Sequence, residues 1–129
     1  MDPSFTDNIP LYLQIREELE NQIIQGLLGE DEQIPSTTQM VDFFQVNHLT
    51  VAKGIGLLVD QDLIYKKRGV GMFVAPGARD RLIQWRTKGF RQDFIAPLVQ
   101  KARLLGLSPE TLCTMIHTQW KEEHHENGS

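Results

Sequence analysis

A single cysteine in 129 residues, Cys113, excludes an internal disulfide and leaves a buried thiol as the expected state. No run of 18 apolar residues occurs, so no ordinary transmembrane helix is encoded, and the opening MDPSFTDNIP lacks both the basic start and the apolar stretch of a secretory signal. The chain therefore reads as cytoplasmic. Cations are scarce in the first part: residues 1–77 hold five Lys and Arg against eleven Asp and Glu, a net of −6, while 78–129 hold eight against six, a net of +2. With a sequence pI near 5.5, diffuse coating of a polyanion is excluded, and any nucleic-acid contact has to be focal. Also lacking are a Ser/His/Asp order in a credible context, a nucleotide-binding glycine loop and paired carboxylates on opposed rigid elements. No enzymatic activity, cofactor or metal is expected.

What is present is an order of helical and strand-like patterns. Asn8 is placed to cap a helix with Pro10 in its first turn, whose apolar face of Leu11, Ile15, Leu19 and Ile23, flanked by Tyr12, Ile24 and Leu27, extends to about Leu28, with Glu17, Glu18 and Glu20 opposite. Glu30-Asp31-Glu32 reads as a turn and Gln33-Ile34 as a short strand. Ser36 and Gln39 have capping-box spacing, predicting a helix from Thr37 to about Phe44. Gln45-Val46-Asn47 is then long enough only for a tight turn into a second helix, which buries Val51, Ile55 and Leu58 and leaves Leu49, Thr50, Lys53, Gly54 and Gly56 on other sides. Leu63-Ile64-Tyr65 and Met72-Phe73-Val74 read as a hairpin around a glycine-bearing turn. The fold class is α+β, with an N-terminal winged helix-turn-helix in residues 1–76 and a helical segment in 77–129, divided at Ala75-Pro76-Gly77. Beyond the boundary, Leu82 to Leu105 suggests a long helix, kinked or broken near Gly89 and Pro97. Gly106 ends it, and Ser108-Pro109-Glu110 starts a last helix. Two helices cannot enclose a core alone, so this segment predicts packing on the first domain or on a second copy.

The chemistry of this arrangement points to double-stranded DNA. Ser36 and Thr37 offer hydroxyls and amides at a helix N-terminus, where phosphate is favoured, although capping alone explains them. Asn47 is better suited to capping than to reading a base. His48, Leu49, Thr50 and Lys53 lie at the start or exposed side of the recognition helix, where Leu49 can meet a thymine methyl, Thr50 a phosphate or base, and Lys53 a phosphate or guanine. Lys66, Lys67 and Arg68 lead into Gly69, which keeps the hairpin tip narrow; alternation sends Lys66 and Arg68 to one side and Lys67 to the other. Charge at this place could also simply protect an edge strand, or meet an acidic protein if the winged helix is a protein–protein adaptor without sequence-specific DNA binding. Cys113, His117 and His124 fall near one helical face, but a helix rise of about 1.5 Å per residue separates Cys113 from His124 by roughly 16 Å, too far to share an ion. Cys113 and His117 could complete a site only with a second chain. His124-His125, in a tail expected to fray from Glu122, require no function.

Pro10-Leu11-Tyr12, Gln14-Ile15, Ile34-Pro35-Ser36, Val46-Asn47, Thr50-Val51, Leu58, Leu63-Ile64 and Gly69-Val70-Gly71-Met72-Phe73-Val74 stand in an order and spacing that resembles the GntR family of bacterial transcription factors. The short two-helix tail is similar to that of the YtrA subfamily, in which it serves dimerisation. The resemblance implies a homodimeric repressor of a small operon, often of transporter genes; no small-molecule effector is identified. Two departures stand out: Thr38 occupies a position where the family usually carries a DNA-contacting arginine, and His48-Leu49 replace small or polar residues.

Overall fold

The computed structural model describes residues 8–126, with the side chains of His125 and Glu126 outside that description. The opening seven residues, most of the stretch read above as no secretory signal, lie outside it too, as do 127–129. Helices α1 (Leu11–Ile24), α2 (Thr37–Phe44) and α3 (His48–Asp60) precede a hairpin of β1 (Ile64–Lys67) and β2 (Gly71–Val74). Then follow α4 (Ala78–Phe90), a π-helical segment Arg91–Ile95, α5 (Ala96–Leu104) and α6 (Pro109–Glu126). The chain forms two compact units, one running to Trp85 and the other beginning at Arg86. Among the described residues no helix is long and apolar enough to cross a membrane.

In the first unit, α1 buries Ile15, Leu19 and Ile23 against Val51, Ile55 and Leu58 of α3, and Met40 and Phe44 of α2 join the same core. Each such side chain contributes about 1.5–3 kcal/mol when fully withdrawn from water. Two expectations for α1 are corrected. Among the described residues no side chain caps its start; Pro10, not Asn8, is the flanking residue, and its carbonyl takes the N–H groups of Leu13 and Gln14. The helix also stops at Ile24, short of Leu28, because Gly26 adopts φ +81° and lets the Leu27 N–H fold back on the Gln22 carbonyl at 2.9 Å. Leu27 is thereby turned out of the apolar face, 64% exposed, while Glu20, assigned to the solvent side, is buried.

The capping box of α2 is complete: the Ser36 hydroxyl accepts the Gln39 N–H at 3.1 Å and the Gln39 side chain accepts the Ser36 N–H at 2.8 Å. Gln45, at φ +57°, makes the turn between α2 and α3. Gly54 is not on an outer side of α3 as the apolar spacing suggested. It is buried, and a Cβ built there would lie 2.8 Å from the Tyr12 carbonyl oxygen, so a glycine is what lets α3 approach the backbone of α1. Gly56 has open space around it.

The hairpin pairs Ile64 with Val74, Tyr65 with Phe73, Lys66 with Met72 and Lys67 with Gly71. Residues 31–34 run antiparallel along β2: Asp31 N–H donates to the Val74 carbonyl at 2.7 Å, Val74 N–H to Glu32 at 3.0 Å, and Ile34 N–H to Met72 at 2.9 Å. The short strand expected at Gln33-Ile34 is thus an edge on the wing. The first residues of α4 belong to this unit as well. Ala78 and Leu82 enter its core, Arg79 Nε donates to the Ile24 carbonyl at 2.8 Å, and Arg81 donates to the carbonyls of Pro76 and Asp62. The division drawn at Ala75-Gly77 therefore marks the end of the wing, and the compact unit continues beyond it.

In the second unit, the Ala96 N–H bonds to the Arg91 carbonyl, five residues back, in a π-type turn immediately before Pro97. Proline lacks an N–H and its ring crowds the carbonyl four residues earlier; the wider turn accommodates it, so the helical path is bulged there instead of broken. Gly106, at φ +72°, closes α5 with Leu107 N–H on the Ala102 carbonyl at 2.9 Å, and Ser108 caps α6 by accepting the Thr111 N–H at 3.1 Å. Helix α6 continues to Glu126, past the Glu122 at which fraying was expected. Among the described residues of this unit only Ala102 is buried; Phe94, Leu104, Leu105 and Trp120 are 63%, 85%, 72% and 75% exposed. Cys113 is exposed too, contrary to the buried thiol expected of a lone cysteine, because a two-helix unit has no interior to receive it.

Candidate nucleic-acid interface

Three parts of the first unit carry the residues singled out from sequence. At the start of α2, Ser36 and Thr38 are exposed and Thr37 is half-buried; the Ser36 hydroxyl is committed to the cap. At the start of α3, the Asn47 side-chain oxygen accepts the Thr50 N–H at 2.7 Å, so Asn47 caps the helix. That cap fixes the first turn, on which His48 is exposed, Leu49 is 80% exposed and Thr50 is half-buried. A leucine so far from the core offers an apolar surface at the end of a helix whose other side is anchored by Val51 and Ile55.

One turn along, the Lys53 ammonium lies 4.0 Å from the centroid of the Tyr12 ring. The quadrupole of the ring attracts the cation and holds the side chain over α1 while leaving it exposed.

The wing carries the third part. Lys66, Lys67, Arg68 and Gly69 are all exposed. Val70 N–H closes the turn on the Lys67 carbonyl at 3.0 Å, and Gly69 takes φ +78°, which glycine adopts without strain. Lys67 lies on the face of the hairpin that carries the Phe73 ring. It sits 4.8 Å from the Phe73 ring centroid, and Phe73 stacks on Tyr65 at 5.6 Å. The Tyr65 hydroxyl donates to Asp31 Oδ1 at 2.8 Å, and that hydrogen bond, with a smaller effect of burial, holds the phenol above its ordinary range.

The acidic run beside the wing is occupied locally. Glu30 Oε1 accepts the Gly77 N–H at 2.6 Å, Asp31 accepts Tyr65, and Glu32 Oε2 accepts the Gly29 N–H at 2.6 Å. Part of the negative balance of the first 77 residues is therefore spent on holding the turn. Among the described residues no group of three or more His, Cys, Asp or Glu side chains is arranged to hold a metal ion.

Residues 11–74 match the bacterial regulatory proteins, gntR family. The chain belongs to the GntR family. Over 85 residues it is 34% identical to the HTH-type transcriptional repressor NagR of Bacillus subtilis (strain 168), a match covering 66% of this chain and 35% of NagR. Of NagR, the arabinose metabolism transcriptional repressor of Geobacillus stearothermophilus and YisV of Bacillus subtilis (strain 168) it spans 35% or less of their length. Along most of its own length it is similar to a crystal structure described as a transcriptional regulator of the GntR family from Bacteroides thetaiotaomicron, with TM-score 0.74 and 29% identity over 88% of this chain and 98% of that one. The first unit is similar to AraR(DBD) in complex with operator ORX1, with TM-score 0.53 and 36% identity over 56% of this chain and 93% of that one.

Two residues that shape the GntR surface escape a reading by residue type. Tyr12 counts as part of an apolar face until its ring is found beneath Lys53. Gln33 reads as an ordinary strand residue, although its side-chain Nε2 donates to the Val70 carbonyl at the wing tip at 3.1 Å.

Proposed function

We propose that this GntR-family chain is a sequence-specific DNA-binding repressor that acts in the cytoplasm as a homodimer. The N-terminal end of α3 enters the major groove, with His48, Leu49, Thr50 and Lys53 toward bases and phosphates, and the start of α2 and the wing grip the flanking backbone. The observation that carries the reading is Leu49, 80% exposed on the capped first turn of α3 in the same unit as an exposed Lys66-Lys67-Arg68 tip. The likeness of this unit to AraR(DBD) bound to an operator supports it. The exposed apolar side chains after Arg86 support dimerisation through α5 and α6, and two copies would give an operator of twofold symmetry. A two-helix tail supports placement in the YtrA-like branch, which makes a small operon with transporter genes the first target to examine.

Selection of bound sequences from random duplex DNA by the full chain tests the proposal. A twofold-symmetric motif is expected. Recovery of no motif, with equal retention of all duplexes, would leave the winged helix as a protein-interaction adaptor.

A further inference from the structure

The wing is braced along its outer edge by residues 31–34. At its base, Asp31 accepts the Tyr65 hydroxyl; at its tip, Gln33 donates from Nε2 to the Val70 carbonyl at 3.1 Å. The Gln33 amide also lies where a side chain on residue 71 would project: a Cβ built on Gly71 would stand 2.3 Å from Gln33 Nε2, and Gly71 has φ +146°. The same residue forms a backbone bridge with Phe73, and its successor Ile34 is buried and bonded to Met72. Three residues further on, Ser36 caps α2. One short segment thus holds the wing tip through a side chain and leads directly into the start of α2.

We propose that Gln33 is a positioning residue for DNA recognition, fixing the Arg68-Gly69-Val70 tip relative to the start of α2 so that Arg68 meets the nucleic acid in a defined place. The inference rests on the DNA-binding reading above. Gln33 need not touch DNA. A two-stranded hairpin is barely stable alone, and a basic side chain on a loose tip loses rotational freedom on binding. Holding the Val70 carbonyl removes part of that cost beforehand.

The test uses the full chain and the duplex that it selects from random DNA. Gln33→Leu keeps a side chain of similar bulk but removes the donor; Gln33→Glu presents acceptors to the Val70 carbonyl and serves as the second variant. Both should speed hydrogen exchange at the Val70 amide while amides of the core residues Ile55 and Leu58 keep their protection. Both should weaken binding about threefold to tenfold, the range set by loss of one hydrogen bond. In the Gln33→Leu background, Arg68→Ala should cost less than about half, in logarithmic affinity, of what it costs in the wild type, since the two residues act as a unit. Unchanged Val70 exchange, or an Arg68→Ala effect of equal size in both backgrounds, would overturn the proposal. If the wild-type chain binds no duplex at all, the DNA-binding reading fails instead, whereas the exchange experiment still reports on the brace.

Discussion

The ammonium of Lys53 rests 4.0 Å from the centre of the Tyr12 ring, joining α3 to α1 beside the close approach of Gly54 to the Tyr12 carbonyl. Tyr12→Leu should destabilise the first unit by about 0.5–1 kcal/mol in denaturant unfolding through loss of an exposed cation–π contact, while Tyr12→Phe retains the ring and should unfold nearly as the wild type does. Urea titrations of the three proteins at one salt concentration check this. Equal loss in both variants would assign the effect to the hydroxyl.

The two glycines of α3 should respond to alanine in opposite directions. Gly54→Ala puts a methyl group 2.8 Å from the Tyr12 carbonyl oxygen and should destabilise the first unit by about 1–3 kcal/mol as the helices are forced apart. Gly56→Ala meets nothing within 4 Å and should stabilise by up to about 1 kcal/mol through helix propensity and a less flexible unfolded chain. Denaturant unfolding of both variants decides the matter.

Thr38 is exposed in the first turn of α2, so a longer side chain there meets no core atom. Thr38→Arg, which restores the residue usual in the family, should tighten operator binding by about 1–3 kcal/mol if the guanidinium finds a guanine and by less if it finds only phosphate. A weaker complex would mean that Thr38 makes a contact of its own.

The second unit leads to a prediction about assembly. At micromolar concentration the protein should sediment as a dimer of the 14.8 kDa chain, and Trp120→Glu, at a side chain 75% exposed in one chain, should shift it toward monomer with no loss of helical signal. A wild-type monomer, both free and with DNA, would contradict the dimer.

Several features governed by near neighbours along the chain are legible in the residues themselves, although the start and the end of α1 are not. Ser36 and Gln39 announce the capping box, Asn47 the start of α3, and Gly106 with Ser108-Pro109 the turn into α6, because each depends on bonds within a few residues. Contacts between distant segments are not legible in that way. Gly54 looks like a weak helical position until α1 is laid against it, and Glu20 looks like a solvent-facing charge until the surrounding elements close over it. The candidate site divides along the same line. The basic tip and the exposed first turn of α3 follow from alternation and helical period, whereas Lys53 on Tyr12 and Gln33 on Val70 join residues about forty apart in sequence, and no local pattern encodes such pairs.

Whether α3 and the wing bind DNA with sequence preference is read by salt titration on the selected operator and on a scrambled duplex. Lys53, Lys66, Lys67 and Arg68 are all exposed, giving at most four phosphate-neutralising groups per chain from these elements. A dimer should therefore bind the operator more tightly than the scrambled duplex at every salt concentration, with a log–log slope no steeper than about −7, and Arg68→Ala should reduce that slope by roughly one unit per chain if Arg68 holds a phosphate. Equal affinity for the two duplexes, or a slope and affinity untouched by Arg68→Ala, would contradict the account.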